Sequence, residues 1–481
     1  MSTRSFPVWC WPLLLLLAFC ASKWGSLYHP YYWDEAWSYG HAIHRFAELP
    51  LGISPAALDP QLSRGHPLLF YVGAAGWLQV LGNHLFWAHA FALLLSVGTA
   101  WAVWRIGRQM SALAAGLAAM LLLLWTQMFW ALAARLYPEM LVALCSLLAL
   151  WAYHGRRLAA AVLWVALALF TKESAVAAVA ALYAYALWRH RGLSRAFWAD
   201  AAVLAVPVGL MVGWFAWQYA LRGWWLFPEH TGMMVRDAGR VAQNFAHLLW
   251  TLLFYDGRVV LSLAVLVAAA WHRWRGLRPL RTDLKGWLLL SGLFVLAYLG
   301  FSALNFQTER YLVVPLVVAV LAGVLWVWEV FSPYPRLLAG LVLLYVGVQV
   351  YGLRHPARLN ETSTGYLPML ESWQQSVRWC EQQRLQEGLY WTHFLMGYYM
   401  TDAHLGYLSG PGSFGFSPDT AAARYFLIDQ VERDFTPSEL PDLRGMRLLH
   451  RWGEGAYRVW LYERPEGAVR LEAAPSAKDR H

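Results

Sequence analysis

Two adjacent carboxylates, Asp34 and Glu35, lie inside the aromatic run Tyr31-Tyr32-Trp33-Asp34-Glu35-Ala36-Trp37, directly after the first apolar segment. Paired acids beside a hydrocarbon layer repel each other and lose hydration, so a position that keeps them is one where charge is used. The pair is read as acid/base or ion-holding machinery, with a general base as the sharper form. A hydrated loop pair or an acidic first helical turn is the bland alternative.

Other chemistry-bearing residues recur at the same ends of apolar runs: Arg64 and His66, Arg135 and Glu139, Lys172 and Glu173, Glu309 and Arg310. Each alone reads as a snorkelling cation, a cap or a first-turn acid; Glu139 directly follows Pro138 at a span start. Together, several cations are what a phosphate leaving group needs, because positive donors stabilise the charge that develops as a phosphate–sugar bond breaks. Arg310 is the leading phosphate ligand. The histidines show no compact zinc spacing, whereas a divalent cation could be held by Asp34 and Glu139, since hard cations prefer carboxylate oxygen. No cofactor is otherwise required. Asn360-Glu361-Thr362 matches a glycosylation sequon with nothing else to argue for its use.

The elements that must position these groups are membrane helices. The 481 residues are 59% hydrophobic and 14% charged, too apolar for a soluble chain. With about 20 residues per crossing, eleven spans are expected at 8–24, 85–104, 112–131, 137–153, 158–171, 174–188, 199–221, 250–271, 286–304, 311–330 and 335–353. The net charge of +9 sits in short loops between spans, at Arg105 and Arg108, Arg156 and Arg157, Arg189 to Arg195 and Arg273 to Lys285. Placed in the cytoplasm, these loops fix the N-terminus there too, and nucleic acid is not implied. The first segment is read as a retained helix, although Arg4 and Ala21-Ser22 also resemble a signal peptide. Residues 28–84 then form an outer loop in which Pro67 to Leu81 is an interfacial helix. Four scattered cysteines imply no disulfide framework.

After Gly352 the apolar runs stop, and 354–481 is expected to be a small soluble α/β domain on the outer side. A helix from Ser372 to Gln386 precedes strands at Gly388 to Phe394, Tyr425 to Ile428 and Tyr457 to Tyr462, with a frayed polar end at 473–481. The whole is an α-helical polytopic membrane protein, with residues 1–353 the catalytic membrane domain. Its span interiors hold almost no ionisable group, His89 being the main exception. A transporter commonly places charge near the midplane, so clustered outer charge favours an enzyme over the alternative, a lipid or sugar transporter or flippase. A scaffold acting through its outer domain is weaker still.

Five segments in order resemble the GT-C glycosyltransferases, in the branch of protein O-mannosyltransferases and lipid A aminoarabinose transferases. They are Asp34-Glu35-Ala36-x-x-Tyr39, His66-Pro67-Leu68-Leu69-Phe70-Tyr71, Arg135-Leu136-Tyr137-Pro138-Glu139, Thr171-Lys172 and Arg310-Tyr311-Leu312-Val313-Val314-Pro315. Leu68 stands where a second proline is usual, and Glu139 where aspartate is common. The resemblance implies an inverting transfer of a sugar from a polyprenyl-phosphate donor to an acceptor hydroxyl of lipid A, a glycan or a protein, at the outer face of a bacterial inner membrane. Asp34 would be the base, with Glu35 or Glu139 orienting it or holding an ion. Arg64, His66, Lys172, Arg310 and Tyr311 would bind the donor phosphate. Oligosaccharide transfer to protein asparagine is the runner-up among enzymes.

Overall fold

The computed structural model describes residues 8–276, 279–305, 308–358, 360–392, 394–429, 443–454 and 457–465; the polar end at 473–481 lies outside them. Helices occupy all eleven expected apolar segments, those at 112–131 and 250–271 being broken in two. Five helices are long and apolar enough to cross a membrane among the described residues: Leu85–Met110, Arg195–Arg222, Thr282–Leu304, Glu309–Phe331 and Pro335–Arg354. Others are shorter, including Cys10–Lys23, Leu113–Trp125, Glu139–His154, Leu158–Thr171 and Val176–Arg189, each of 13 to 16 residues.

The span expected at 250–271 is a correction. Two helices, Ala238–Phe254 and Val259–Trp274, meet there at 90°. The corner is a left-handed turn in which Asp256 has φ 49° and Gly257 φ 75°. Arg258 stabilises it by donating to the carbonyls of Leu252, at 3.0 Å, and Thr251, at 2.6 Å, which the ended helix leaves without partners. Apolar runs on both sides of the break disguised it as one segment.

Val313–Phe331 is the central helix, buried on all sides and packed on Leu85–Met110, Leu113–Trp125, Glu139–His154, Val259–Trp274 and Thr282–Leu304. A single 3₁₀ turn, Glu309–Leu312, leads into it, so Arg310 is anchored to the most enclosed element of the bundle. The expected interfacial segment folds as Leu69–Leu81 and buries Phe70, Tyr71, Ala74, Ala75 and Leu78, one face of the helix.

The C-terminal module begins with the helix Leu367–Gln382, whose buried face is Met369, Leu370, Trp373, Ser376, Val377 and Cys380. Five strands follow: β1 Leu389–Thr392, β2 Gly415–Phe416, β3 Tyr425–Asp429, β4 Arg447–Trp452 and β5 Val459–Glu463, in the order β2-β1-β3-β5-β4. β1 is parallel to β2 and β3, while β5 runs antiparallel to β3 and β4. The three expected strands correspond to β1, β3 and β5. β4 escaped notice because Arg447, His450 and Arg451 break its apolar pattern, as suits an exposed edge strand.

Candidate active site

The acidic motif occupies an unusual piece of backbone. Trp33 has φ 52°, and Glu35–Gly40 winds as a π-helical turn, a rare geometry that recurs at functional positions. The C-terminal module holds this segment from outside. Tyr31 N–H donates to the Leu405 carbonyl at 3.0 Å, Tyr407 hydroxyl donates to the Tyr31 carbonyl at 2.7 Å, and Tyr366 stacks on Tyr32 with ring centroids 4.8 Å apart.

The two adjacent acids part company. Asp34 lines a cavity, receives the Trp37 indole N–H at 2.9 Å on one oxygen and meets Arg310 Nη2 at 2.5 Å on the other. Glu35 points the other way and is fully enclosed. It accepts from Arg135 Nη1 at 2.8 Å and the Leu136 N–H at 2.6 Å, and contacts His89 Nε2 at 3.0 Å. Burial alone would raise its pKa, yet Arg135 and His89 hold it below the usual carboxylate range. Glu35 thus ties two loops together and presents nothing to the cavity.

That cavity, of about 470 Å³, has a mixed lining. Asp34, Arg64, His66, Lys172, Glu173, Arg310 and Tyr311 border it together with the apolar Met211, Phe215, Phe227, Met233, Met234 and Phe301. All five residues expected to hold a phosphate therefore share it with Asp34. The turn Arg64-Gly65-His66 is left-handed, with φ 52° and 66° at its first two residues, and a Cβ on Gly65 would approach the Trp224 ring to 2.9 Å. It stacks the Arg64 guanidinium 3.8 Å above Trp37 and turns it to Glu229 at 2.8 Å. His66 Nδ1 lies 2.9 Å from Glu173; although burial opposes it, His66 holds that carboxyl down to about 2.

Lys172 breaks from the end of Leu158–Thr171 into extended backbone, φ −161°, and reaches Glu139 at 2.7 Å beside the Tyr311 ring at 4.1 Å. Glu139 is buried behind the cavity and lies 3.5 Å from Arg310 Nε. It backs both cations without lining the space itself. Arg310 also lies between Asp34 and Glu139, so the carboxylates offered for a divalent cation already face a guanidinium. Among the described residues no three His, Cys, Asp or Glu side chains form a metal-holding group.

One participant was not singled out for chemistry. Both carboxylate oxygens of Glu361 accept from Arg310 Nη1, at 3.0 and 3.1 Å, and the carboxylate also accepts from the Tyr137 hydroxyl at 2.8 Å and from Thr308 at 3.1 Å. Burial pushes its carboxyl above the usual range despite the neighbouring guanidinium. Its only sequence signal was a sequon, and the Asn360 amide there is occupied in a 2.9 Å bond to Glu309. The short helix Pro228–Gly232, whose Glu229 and His230 line the cavity near His66, was likewise not foreseen.

No family model and no curated protein matches the chain. Among solved structures it is similar to ArnT from Cupriavidus metallidurans bound to undecaprenyl phosphate, with a TM-score of 0.58, 15% identity, and 95% of this chain and 98% of that one covered. The chain has the same fold as ArnT. ArnT from the same organism in the apo state gives a TM-score of 0.56 at 15% identity, over 94% of this chain and 97% of that one. The coverage takes in the C-terminal module as well as the helical bundle, so the likeness in fold extends over both.

Proposed function

We propose that the protein is an inverting glycosyltransferase that moves a sugar from a polyprenyl-phosphate donor to an acceptor hydroxyl at the outer face of a bacterial inner membrane. The observation that carries this reading is the mixed lining of the cavity. Arg64, His66, Lys172, Arg310 and Tyr311 offer donors to a phosphate, and the apolar side chains beside them offer a surface to an isoprenoid chain. ArnT, whose fold is similar, was solved with undecaprenyl phosphate.

In this reading Asp34 accepts the proton of the acceptor hydroxyl as its oxygen bonds to the anomeric carbon. The bond from that carbon to the phosphate oxygen breaks on the opposite face, and its electron pair leaves with the polyprenyl phosphate. Lys172 and Arg310 are placed to stabilise the charge gained there. Glu139 holds those cations in position, and Glu35 keeps the acidic loop in shape. The guanidinium between the carboxylates favours a reaction in which Arg and Lys, rather than a divalent cation, meet the phosphate. Lipid A, another glycan or a protein could each supply the hydroxyl.

The test is to incubate purified protein in lipid with a panel of polyprenyl-phosphate sugars and a membrane extract, and to measure free polyprenyl phosphate. Donor-dependent release that is lost in Asp34→Asn is expected. Substrate flux across the bilayer without release from any donor would overturn the reading in favour of transport.

A further inference from the structure

Three carboxylates share Arg310, and they hold it on different terms. Asp34 lines the cavity, with a fifth of its side chain exposed, and its other partner among the described residues is the Trp37 indole. Glu361 is enclosed, takes both its bonds from Nη1 and is itself fixed by Tyr137 and Thr308. The residues around it grip the neighbour of Arg310: Arg358 pairs with Glu309, and Asn360 and Thr362 donate to it at 2.9 and 3.3 Å. Glu139 stands farther off, on the Nε side. Nη2, bonded to the only one of these three carboxylates that borders the cavity, is therefore the donor a phosphate would reach first.

Nη1 is committed to Glu361 and Nη2 is bonded to Asp34, so a phosphate that approaches Arg310 from the cavity competes with Asp34 for Nη2. We propose that Glu361 is a positioning residue that holds Arg310 in place while the donor phosphate takes the guanidinium from Asp34, so that donor binding and release of the base are one exchange. The proposal rests on the glycosyl-transfer reading of the cavity. The phosphate thereby arms the site: Asp34 stays tied to Arg310 until an anion replaces it, and an acceptor hydroxyl finds a free base only when the donor is seated.

The two carboxylates then have opposite effects on phosphate affinity. The probe is undecaprenyl phosphate without sugar, titrated into the full-length protein in nanodiscs. Asp34→Asn removes the competitor and is expected to tighten binding ~10-fold; Glu361→Gln leaves Arg310 to Asp34 and is expected to weaken it ~10-fold, the scale of one charge-assisted contact. In an Arg310→Gln background Glu361→Gln should change nothing further, which a general structural role would not produce. Should Glu361→Gln fold poorly by thermal unfolding, Tyr137→Phe removes one bond to Glu361 and keeps its charge, with a weakening of ~2-fold expected. Shifts in the same direction for Asp34→Asn and Glu361→Gln, or a Glu361 effect that survives without Arg310, would overturn the proposal while leaving the functional reading standing. Native-strength binding by Arg310→Gln alone would instead remove the functional reading, and this proposal with it.

Discussion

The Asp34 carboxylate and the Arg310 guanidinium are 276 residues apart in sequence and 2.5 Å apart in the fold. The first stands on the wound turn after the opening helix, the second at the head of the central helix. Their pairing puts a carboxylate beside a guanidinium at the cavity, and Glu35, the immediate neighbour of Asp34, is excluded from it.

That division predicts unlike outcomes for two chemically similar changes. Asp34→Asn should fold as the native chain does and lose glycosyl transfer by ~10²–10⁴-fold, the usual contribution of a positioned base. Glu35→Gln should instead lower stability by about 3–5 kcal/mol, because Arg135 would be left buried without its carboxylate. Thermal unfolding in detergent, read beside activity, separates the two; equal stability of both variants would contradict the assignment of Glu35 to structure.

Gly65→Ala should damage the site without touching a charged group. At φ 66° an added Cβ costs about 1–2 kcal/mol, and it would press on the Trp224 ring, displacing Arg64 and His66. A rise in the donor KM with a modest fall in unfolding temperature is expected from steady-state kinetics and thermal unfolding. An unchanged KM would show that the turn does not set donor affinity.

Because Arg310 stands between Asp34 and Glu139, transfer is expected to continue after exhaustive treatment with EDTA. The check is the rate of polyprenyl-phosphate release before and after chelation, and after addition of magnesium, manganese or calcium. Loss on chelation with recovery on a divalent cation would show that the ion displaces Arg310.

The contact between the first outer segment and the C-terminal module should depend on pH. Asp402 lies between His404, 3.1 Å away, and His41, 2.5 Å away. The bond to Asp402 raises the pKa of His404, with burial opposing and Glu48 assisting, while His44 stacks on its ring at 4.7 Å. A pKa raised on folding gives stability that is full below the ordinary histidine value of 6.5 and is lost as pH rises through the folded value. The difference in unfolding temperature between the native chain and His404→Gln should therefore shrink from pH 6 to pH 8; a constant difference would mean that the proton contributes nothing.

Much of the site was legible because its residues sit where apolar runs end. A charge at such a boundary is visible in one dimension, and Asp34, Arg64, His66, Lys172, Arg310 and Tyr311 all do converge on the cavity. What was illegible is direction. Asp34 and Glu35 differ by one position on a turn of unusual winding, and composition gives no reason for one to face the cavity and the other Arg135. Glu361 was hidden for another reason: its partners Arg310, Tyr137 and Thr308 come from two separate segments, and the sequon around it carries no signal of that pairing. The 90° corner at Tyr255–Arg258 was invisible because hydropathy records apolar length and not the left-handed turn at Asp256 and Gly257.

The most direct measurement is an experimental structure of the protein in lipid with undecaprenyl phosphate. The account predicts the phosphate within hydrogen-bonding distance of Lys172 and Arg310, Asp34 released from Arg310 while Glu361 retains it, and the isoprenoid along Met211, Phe215 and Phe301. A phosphate bound elsewhere in the chain, with the Asp34–Arg310 pair intact and the cavity empty, would contradict it.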